Sequence, residues 1–379
     1  MVSQHFRARS LCVAVLGAGP LAAEVVRVVR ESGPELSARA GARLSLGAPA
    51  DADLVIDAGD TVDALDTVRD ALRDGRSVIT AGTALIARHG PELAAVAEES
   101  GADLCFEAAV AGGVPVVRPL TQSLAGDAVR QVLGVFATHS PHAAAQAAIL
   151  ATLAFHTRVA VTDVHVEEFG TPSAHDLAAA AALSLRLRPL TVCTRICEPE
   201  DGGKEWVSVR VHPALLPATH PLARVQAPMR AVTVQAEGAG RLMFSGHDAT
   251  AATASALLGD LIMAARNRVH NGRAPRASYY AELPVAPLGD TPTRYYLNLR
   301  VTDHAGALAQ VAATFAEHGV SIARVRQEHH DNAAHLIVLT HRARESALAD
   351  TVDALADASC VRAVLTRWRV EGVEEPPTS

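Results

Sequence analysis

The chain has 379 residues and a formal net charge of -7 at pH 7, with 49% hydrophobic and 20% charged residues. This length exceeds one ordinary hydrophobic core and predicts two or three globular domains. The acidic balance, with no local run of Lys or Arg, argues against a nucleic-acid or membrane-surface partner.

Other features of the composition predict a cytoplasmic protein. The five cysteines have no metal-ligand spacing and are expected to be free thiols in a reducing compartment. The longest apolar stretch, 143–155, is too short to span a membrane. A short apolar run near the amino terminus enters a glycine turn, and we interpret it as a first strand instead of a signal peptide.

The first third of the chain alternates short apolar strands with helical spacing. This alternation predicts a parallel, doubly wound, Rossmann-like sheet. The predicted strands are 11–16, 42–47, 54–57, 77–80 and 104–107. The predicted helices are 21–30, 62–74 and 91–100.

From residue 129 the pattern changes to a mixed α+β domain. Strands are predicted in 131–138, 159–169, 204–216, 230–240 and 241–246, and helices over 143–155 and 253–267. A Pro/Gly-rich linker follows, and the chain ends in βαββαβ order, which predicts a ferredoxin-like module. The predicted elements of this module are 295–301, 306–318, 323–328, 334–341, 345–356 and 361–370. The predicted domains are 1–118 with about 248–270, then 119–247, a linker over 271–293, and 294–372.

The segment "GAGPLA", 17–22, directly follows the first strand and opens a helix. Its glycines allow a tight turn and the close approach of a pyrophosphate, so a dinucleotide site is predicted here. A tight βα turn without a ligand is the alternative. The acidic residue expected about 20 residues later is missing, and Arg39 and Arg43 lie there instead. They favour NADP over NAD, unless they are ordinary surface arginines.

Several longer motifs carry a specific resemblance. "FEAAVAGGVPVVRPL" at 106–120, "AILATLAFHTRV" at 148–159, "VRVHPALLPATHPLA" at 209–223 and "TASALLGDLIMAARN" at 253–267 resemble homoserine dehydrogenase. "VTDHAGALAQVAATFAEHGVSI" at 301–322 resembles an ACT domain. The resemblance covers nearly the whole chain, with the motifs in the family's order.

This resemblance implies NAD(P)-dependent interconversion of homoserine and aspartate semialdehyde in amino-acid biosynthesis, by a homodimer or homotetramer. It also implies that the central domain supplies catalysis and dimerisation. The implied cofactor-binding residues are Gly17, Ala18, Gly19, Pro20, Leu21, Thr80 and Ala81. A monovalent cation such as sodium is implied at backbone groups of Glu107, Val110, Gly112 and Val114. An amino-acid effector is implied at Asp303, Gly306, Ala307 and Leu308.

The catalytic positions of the family are changed in this chain. The family's Asn-Lys pair after the strand at 77–80 is matched by Gly82 and Thr83. A second family Lys is matched by Gln146, and His142 takes the place of an Asp. The family's substrate loop aligns with 137–141, and an acidic substrate-binding segment after it is absent.

Hydride transfer to or from a carbonyl carbon requires a positioned acid or base. The sequence therefore predicts weak homoserine turnover. The alternative is a catalytically degenerate or repurposed paralogue that acts as a regulatory or small-molecule-binding protein, or in specialised metabolism. His139 and His142 lie three residues apart, and His142 is a candidate acid/base. An exposed or capping role for this histidine is the other interpretation.

Overall fold

A computed structural model describes residues 9–59, 64–136, 142–198, 203–276, 278–330 and 333–373. The chain forms two compact units. The first contains the described residues up to Val164, together with Val192–Arg195 and Gln226–Leu283, and the second contains the remainder. The domain boundaries predicted from the sequence stay predictions. No helix in the described part of the chain combines the length and the apolar character of a membrane span.

The first unit is built on a parallel sheet of five strands. The sheet order is β2-β1-β3-β4-β5, so the chain reverses direction across the sheet at β1. The strands are β1 (Ser10–Leu16), β2 (Arg43–Leu46), β3 (Leu54–Asp57), β4 (Ser77–Thr80) and β5 (Leu104–Cys105). The predicted doubly wound sheet is confirmed, including the short second strand.

Helices cover both faces of this sheet and bury its apolar side chains. The helices are α1 (Pro20–Glu31), α2 (Gly33–Ala40), α3 (Leu65–Arg73), α4 (Thr83–Ser100), α5 (Ala108–Ala111), α6 (Ala143–Phe155) and, late in the chain, α8 (Thr250–His270). On one face α1, α2 and α8 share a core with β1, β3 and β4. On the other face α3 and α4 pack against the same strands. An antiparallel sheet completes the unit, with β6 (Val129–Val135), β10 (Met229–Ala236) and β11 (Gly240–His247) side by side.

The structure differs from the prediction at three elements of this unit: one helix was not predicted, and one helix and one strand have other bounds. Helix α2 was missed, although Pro34 lies in its first turn, where the missing N–H costs no hydrogen bond. Helix α4 begins at Thr83 and continues through Pro91, so the proline lies inside the helix instead of starting it. The strand predicted over 104–107 ends at Cys105, because the chain turns into α5 immediately afterwards.

The second unit contains the predicted βαββαβ module. Its strands β13 (Tyr295–Val301), β14 (Ile322–His330), β15 (Ala333–Thr340) and β17 (Val361–Val370) form an antiparallel sheet in the order β17-β13-β15-β14. Helices α9 (Ala307–Glu317) and α10 (Glu345–Asp357) cover one face. The remaining elements are β7 (His165–Val166), α7 (Ala174–Ala182), β8 (Leu185–Glu198, with 192–195 in the first unit), β9 (Lys204–Pro217), β12 (Pro292–Thr293) and β16 (Ala343–Arg344).

The strand predicted over 159–169 is mostly wrong. Val161–Asp163 forms a short 3-10 turn instead. The Asp163 carboxylate accepts the N–H of Ala160 at 3.1 Å, and this local hydrogen bond competes with extended structure. Only β7 pairs as a strand, in parallel with β9.

Candidate functional site

The glycine loop after β1 has the geometry of an anion-binding turn. Gly17 has φ +106°, and a Cβ there would lie 3.4 Å from backbone atoms of Ala58 and Gly59. Gly19 precedes α1 in an extended conformation, and a Cβ on it would have no atom within 4 Å. No side chain caps the first turn of α1, and residues 17–20 are exposed. The first N–H groups of this helix are therefore open to an anion such as a pyrophosphate.

Thr80 and Asp57 set the backbone at the ends of β3 and β4. The Thr80 hydroxyl donates to Asp57 Oδ2 at 2.7 Å and accepts the N–H of Gly82 at 2.9 Å. The N–H of Ala81 donates to the carbonyl of Asp57 at 2.9 Å. Thr80, predicted to bind a cofactor, is fully buried and holds the turn through its hydroxyl. Asp57 was missed, although a lone Asp that ends an apolar strand is a signal that sequence reasoning could have used.

The next two residues, Gly82 and Thr83, supply no acid or base. A Cβ on Gly82 would lie 3.1 Å from Thr80 Oγ1 and 3.2 Å from Leu85 Cβ, so the turn has little room for a larger residue. Thr83 is buried, and its hydroxyl donates to the carbonyl of Ala109 at 2.6 Å. The Thr83 hydroxyl is thus bound to the backbone, and Thr83 offers no group that could transfer a proton at this end of β4.

The start of α6 carries the other candidate positions. His142 immediately precedes the helix, and its carbonyl accepts the N–H of Gln146 at 2.8 Å. The Gln146 side chain is buried, and its Oε1 has no hydrogen-bond partner within the described residues. A buried amide oxygen without a partner is costly, and a bound ligand could satisfy it. His139 and the predicted substrate loop at 137–141 lie outside the described residues.

Glu107 organises the loop that follows β5. Its Oε1 accepts the N–H groups of Val116 at 2.6 Å and Val117 at 2.7 Å, and its Oε2 accepts that of Arg118 at 3.0 Å. Its own N–H donates to Asp260 Oδ2 at 2.9 Å. The carboxylate therefore folds a ten-residue loop back onto the end of β5 and ties it to α8.

Arg118 balances the two buried carboxylates of this cluster. Its guanidinium donates to Asp260 Oδ1 and has its Nε 3.7 Å from Glu107 Oε2. Burial raises the pKa of Glu107 and that of Asp260, while hydrogen bonds from backbone and from Arg118 act in the opposite direction. Two nearly inaccessible carboxylates therefore depend on one arginine and on backbone N–H groups for their charge compensation.

The predicted cation site lies on the same loop. Val110 and Val114 are buried, and Gly112 turns the backbone at φ +61°. The Glu107 side chain is used by backbone N–H groups, so only its carbonyl remains for a cation. Across the described residues no cluster of three His, Cys, Asp or Glu side chains could hold a metal. Binding of sodium by backbone carbonyls stays a prediction.

The arginines predicted to favour NADP lie at the wrong end of the sheet. Arg43 is the first residue of β2 and pairs with Ser10, at the amino end of the strands. Arg39, at the end of α2, forms an exposed ion pair with Glu35. A nucleotide on the glycine loop sits at the carboxyl ends, where β2 leads into Gly47. The residues 47–50 after β2 contain no charged side chain, and the next residue is Asp51.

The predicted effector residues start a helix in the second unit. Gly306 has φ +96° and precedes α9, which begins at Ala307. Asp303 is exposed just before this turn, and Leu308 is 43% exposed on the first turn of the helix. Ala307 is buried in the core of the unit. The four residues thus share one helix start, and their binding role stays a prediction.

Comparison with known proteins gives three family matches along the chain. Residues 17–107 match the homoserine dehydrogenase NAD-binding domain, 139–262 match homoserine dehydrogenase, and 295–360 match the ACT domain. The homoserine dehydrogenase of Mycobacterium tuberculosis is 43% identical, covering 95% of this chain and 97% of its own length. This chain belongs to the homoserine dehydrogenase family. The homoserine dehydrogenase of Corynebacterium glutamicum is 40% identical to this chain, with 95% of each chain covered.

The mycobacterial relative contains positions that this chain lacks. The alignment with the mycobacterial homoserine dehydrogenase extends over 431 positions, more than the 379 residues present here. That relative therefore contains positions with no counterpart in this chain, and the absence of the substrate-binding segment stays a prediction.

Solved structures share the fold. The crystal structure of a homoserine dehydrogenase from Thiobacillus denitrificans has a TM-score of 0.87 at 24% identity and covers 97% of this chain and 99% of its own. A hyperthermophilic archaeal homoserine dehydrogenase in complex with NADPH has a TM-score of 0.53 at 16% identity, covering 68% and 98% of the two chains. The predicted Rossmann-like, catalytic and ACT architecture is confirmed.

Proposed function

We propose that this family member binds a nicotinamide dinucleotide on its glycine loop but turns homoserine over much more slowly than its relatives. The bound cofactor would supply or accept the hydride. The Gly17–Gly19 turn and the uncapped start of α1 would hold its pyrophosphate. Ala81 at the end of β4 lies at the same carboxyl edge of the sheet, where cofactors of this fold bind.

One observation carries the slow turnover. Thr83, at the family's lysine position, is buried and donates its hydroxyl to a backbone carbonyl. Lys204 is the only lysine in the sequence, and it is exposed on the second unit, so no other lysine can take over the role. An acid/base side chain contributes about 10²- to 10⁴-fold to such a reaction.

The arrangement of the side chains also supports a role in binding a small ligand, besides the slow turnover of homoserine. Gln146 offers a neutral amide in a buried position, which can hydrogen-bond a ligand but cannot transfer a proton at neutral pH. We infer that the chain senses a small amino-acid-like molecule, with the ACT module and the helix start at Asp303 as a second ligand site. We further propose a homodimer or homotetramer, as the resemblance implies.

The test is a turnover assay with homoserine and either NADP or NAD, beside the Mycobacterium tuberculosis relative. The expected kcat is lower by about 10²- to 10⁴-fold. Binding of NADPH and NADH by calorimetry is expected to persist, with affinities within about tenfold, because the turn 47–50 after β2 has no charged side chain to discriminate a 2′-phosphate. Turnover equal to that of the relative would refute slow catalysis, and loss of both nucleotides would refute the cofactor site.

Variants separate the parts of this proposal. Gly17→Val places a side chain against Ala58 and Gly59 and is expected to abolish nucleotide binding, whereas Gly33→Ala, at an open position, is a matched control. If turnover is found, His142→Ala tests the remaining acid/base candidate. His142 next to Gln146 at the start of α6 is the observation that favours this second possibility. Unchanged turnover in His142→Ala would exclude it.

A further inference from the structure

A cavity of about 230 Å³ opens along the free edge of the parallel sheet in the first unit. Its walls are one face of α4, one face of α6 and the residues 273–276 and 278–279 that follow α8. Small and aliphatic side chains dominate these walls, including Ala94, Ile149 and Leu153. The edge strand β5 lies three strand spacings, or about 14 Å, from β1 and its glycine loop. The cavity is therefore separate from the proposed dinucleotide site.

The carboxylates on the cavity wall are already satisfied. Glu107 and Asp260 are held by backbone N–H groups and by Arg118, as described above. Asp103 accepts the Asn267 side chain at 2.8 Å and the N–H of Ala274 at 2.7 Å. These anions have their hydrogen-bond donors within the protein and do not call for a cationic ligand.

One lining arginine is also paired. The Nε of Arg276 lies 2.9 Å from Glu98 Oε1, at an exposed position. Together with Arg118, this accounts for two of the four lining arginines.

The other two lining arginines, Arg158 and Arg273, form no ion pair with a carboxylate of the described residues. Arg158 lies over the ring of Tyr279, 5.2 Å from its centroid, which orients the guanidinium without neutralising it. Arg273 lies against Gly101, with Nη2 3.0 Å from the position of a Cβ there. Both arginines are exposed, so the apolar cavity has two positive charges on the solvent-facing side of its wall.

Tyr279 adds a neutral donor to the same wall. Burial raises the pKa of its phenol, so the hydroxyl stays protonated at neutral pH. No hydrogen bond from this hydroxyl is formed within the part of the chain described. Beside it, His156 ends α6 at φ 51° and stacks on Tyr280 with ring centroids 4.9 Å apart. These rings fix the segment 278–280 against α6.

We propose that this cavity binds a small carboxylic acid with an apolar body, its carboxylate paired with Arg158 and Arg273. The volume is below the range of about 300–1,000 Å³ found for drug-sized ligands, so the acid is a small one. Guanidinium groups bind carboxylates through paired, charge-assisted hydrogen bonds, and the Tyr279 hydroxyl can donate a further one. The aliphatic walls from α4 and α6 take the apolar body.

The experiment compares phenylacetate with its neutral isostere phenylacetamide by calorimetry on the full chain. Saturable binding of phenylacetate is expected with a Kd of about 1 mM or tighter, and at least about tenfold weaker binding of the amide. The double variant Arg158→Gln/Arg273→Gln should lose this preference for the acid. Equal binding of the two probes, no binding of phenylacetate, or an unchanged preference in the double variant would overturn the proposal.

Control variants locate the binding in this cavity. Ala94→Met fills the space from the α4 wall and should block phenylacetate while leaving both arginines in place. Arg88→Gln removes an exposed arginine of α4 that does not line the cavity, and it should change nothing. Asp303→Asn, at the start of α9, should also leave the affinity unchanged; a loss there would assign the binding to the second unit instead.

Discussion

At the carboxyl edge of the parallel sheet, single side chains that were candidates for cofactor binding or catalysis hold the backbone through hydrogen bonds. The Thr80 hydroxyl joins the Asp57 carboxylate to the N–H of Gly82. The Thr83 hydroxyl likewise donates to the carbonyl of Ala109. Because each polar atom here has a partner inside the protein, changing one residue leaves another unsatisfied.

At this scale we predict that Thr80→Val lowers the free energy of unfolding by about 2–3 kcal/mol, because the isosteric change removes a hydrogen bond to the buried Asp57 carboxylate and the acceptor of the Gly82 N–H. Urea unfolding measures this change. Thr314→Val, at a half-buried threonine of α9 whose hydroxyl donates to the Gln310 carbonyl of the same helix, is the control and should change stability by less than about 0.5 kcal/mol. Equal effects of the two variants would contradict the role given to Thr80.

At the scale of elements, the loop after β5 is joined to α8 by buried charges. Asp260 on α8 receives the N–H of Glu107 and the guanidinium of Arg118, from residues about 150 positions earlier in the chain. Glu107 in turn holds three consecutive N–H groups of the loop. The conformation of the family's "FEAAVAGGVPVVRPL" segment therefore depends on a distant helix.

Asp260→Asn is expected to destabilise the protein by about 1–3 kcal/mol, since it weakens the charged hydrogen bond to Arg118, whose guanidinium is partly exposed and still lies beside Glu107. Glu98→Gln removes a carboxylate from the exposed pair with Arg276 and should cost at most about 1 kcal/mol. Thermal unfolding of the two variants compares a buried pair with an exposed one. Similar shifts in Tm would mean that Asp260 contributes no more than a surface charge.

For the molecule as a whole, a buried histidine in the second unit couples folding to pH. His212 is enclosed in β9, with Nδ1 3.1 Å from the carbonyl of Pro213. Burial and the neighbouring Arg210 and Arg369 hold its pKa well below the usual value. His212 therefore becomes protonated near pH 6.5 in the unfolded chain but stays neutral at that pH in the folded chain. Because the unfolded state binds more protons, the free energy of unfolding decreases as pH falls below that value.

The expected contribution reaches about 1.4 kcal/mol for each pH unit between about 6.5 and 5. In His212→Gln the amide can still donate to the Pro213 carbonyl but cannot titrate, so the decline in stability over this range should be smaller. Urea unfolding at a series of pH values gives both slopes. The same slope in the variant and the parent protein would assign the acid sensitivity to other groups.

The local elements were largely predictable because their signals are local. Alternating apolar runs bounded by turns located β1, β3 and β4 to within one residue, and the terminal βαββαβ order followed from periodicity alone. The predictions that were wrong, at α2, α4 and 159–169, depend on how a proline or an Asp is used in its surroundings. The replacement of the family's catalytic residues stays a prediction from the motifs.

The sequence by itself thus determined the family architecture, since it is a property of residue order, and it predicted the replacement of a family lysine by Thr83. Only the tertiary structure decided what the individual side chains do. It separated Arg39 and Arg43 from the nucleotide end of the sheet, placed Asp260 against Glu107, and left Arg158 and Arg273 beside an apolar cavity. Such juxtapositions join residues far apart in the chain, and no local pattern encodes the distance between them.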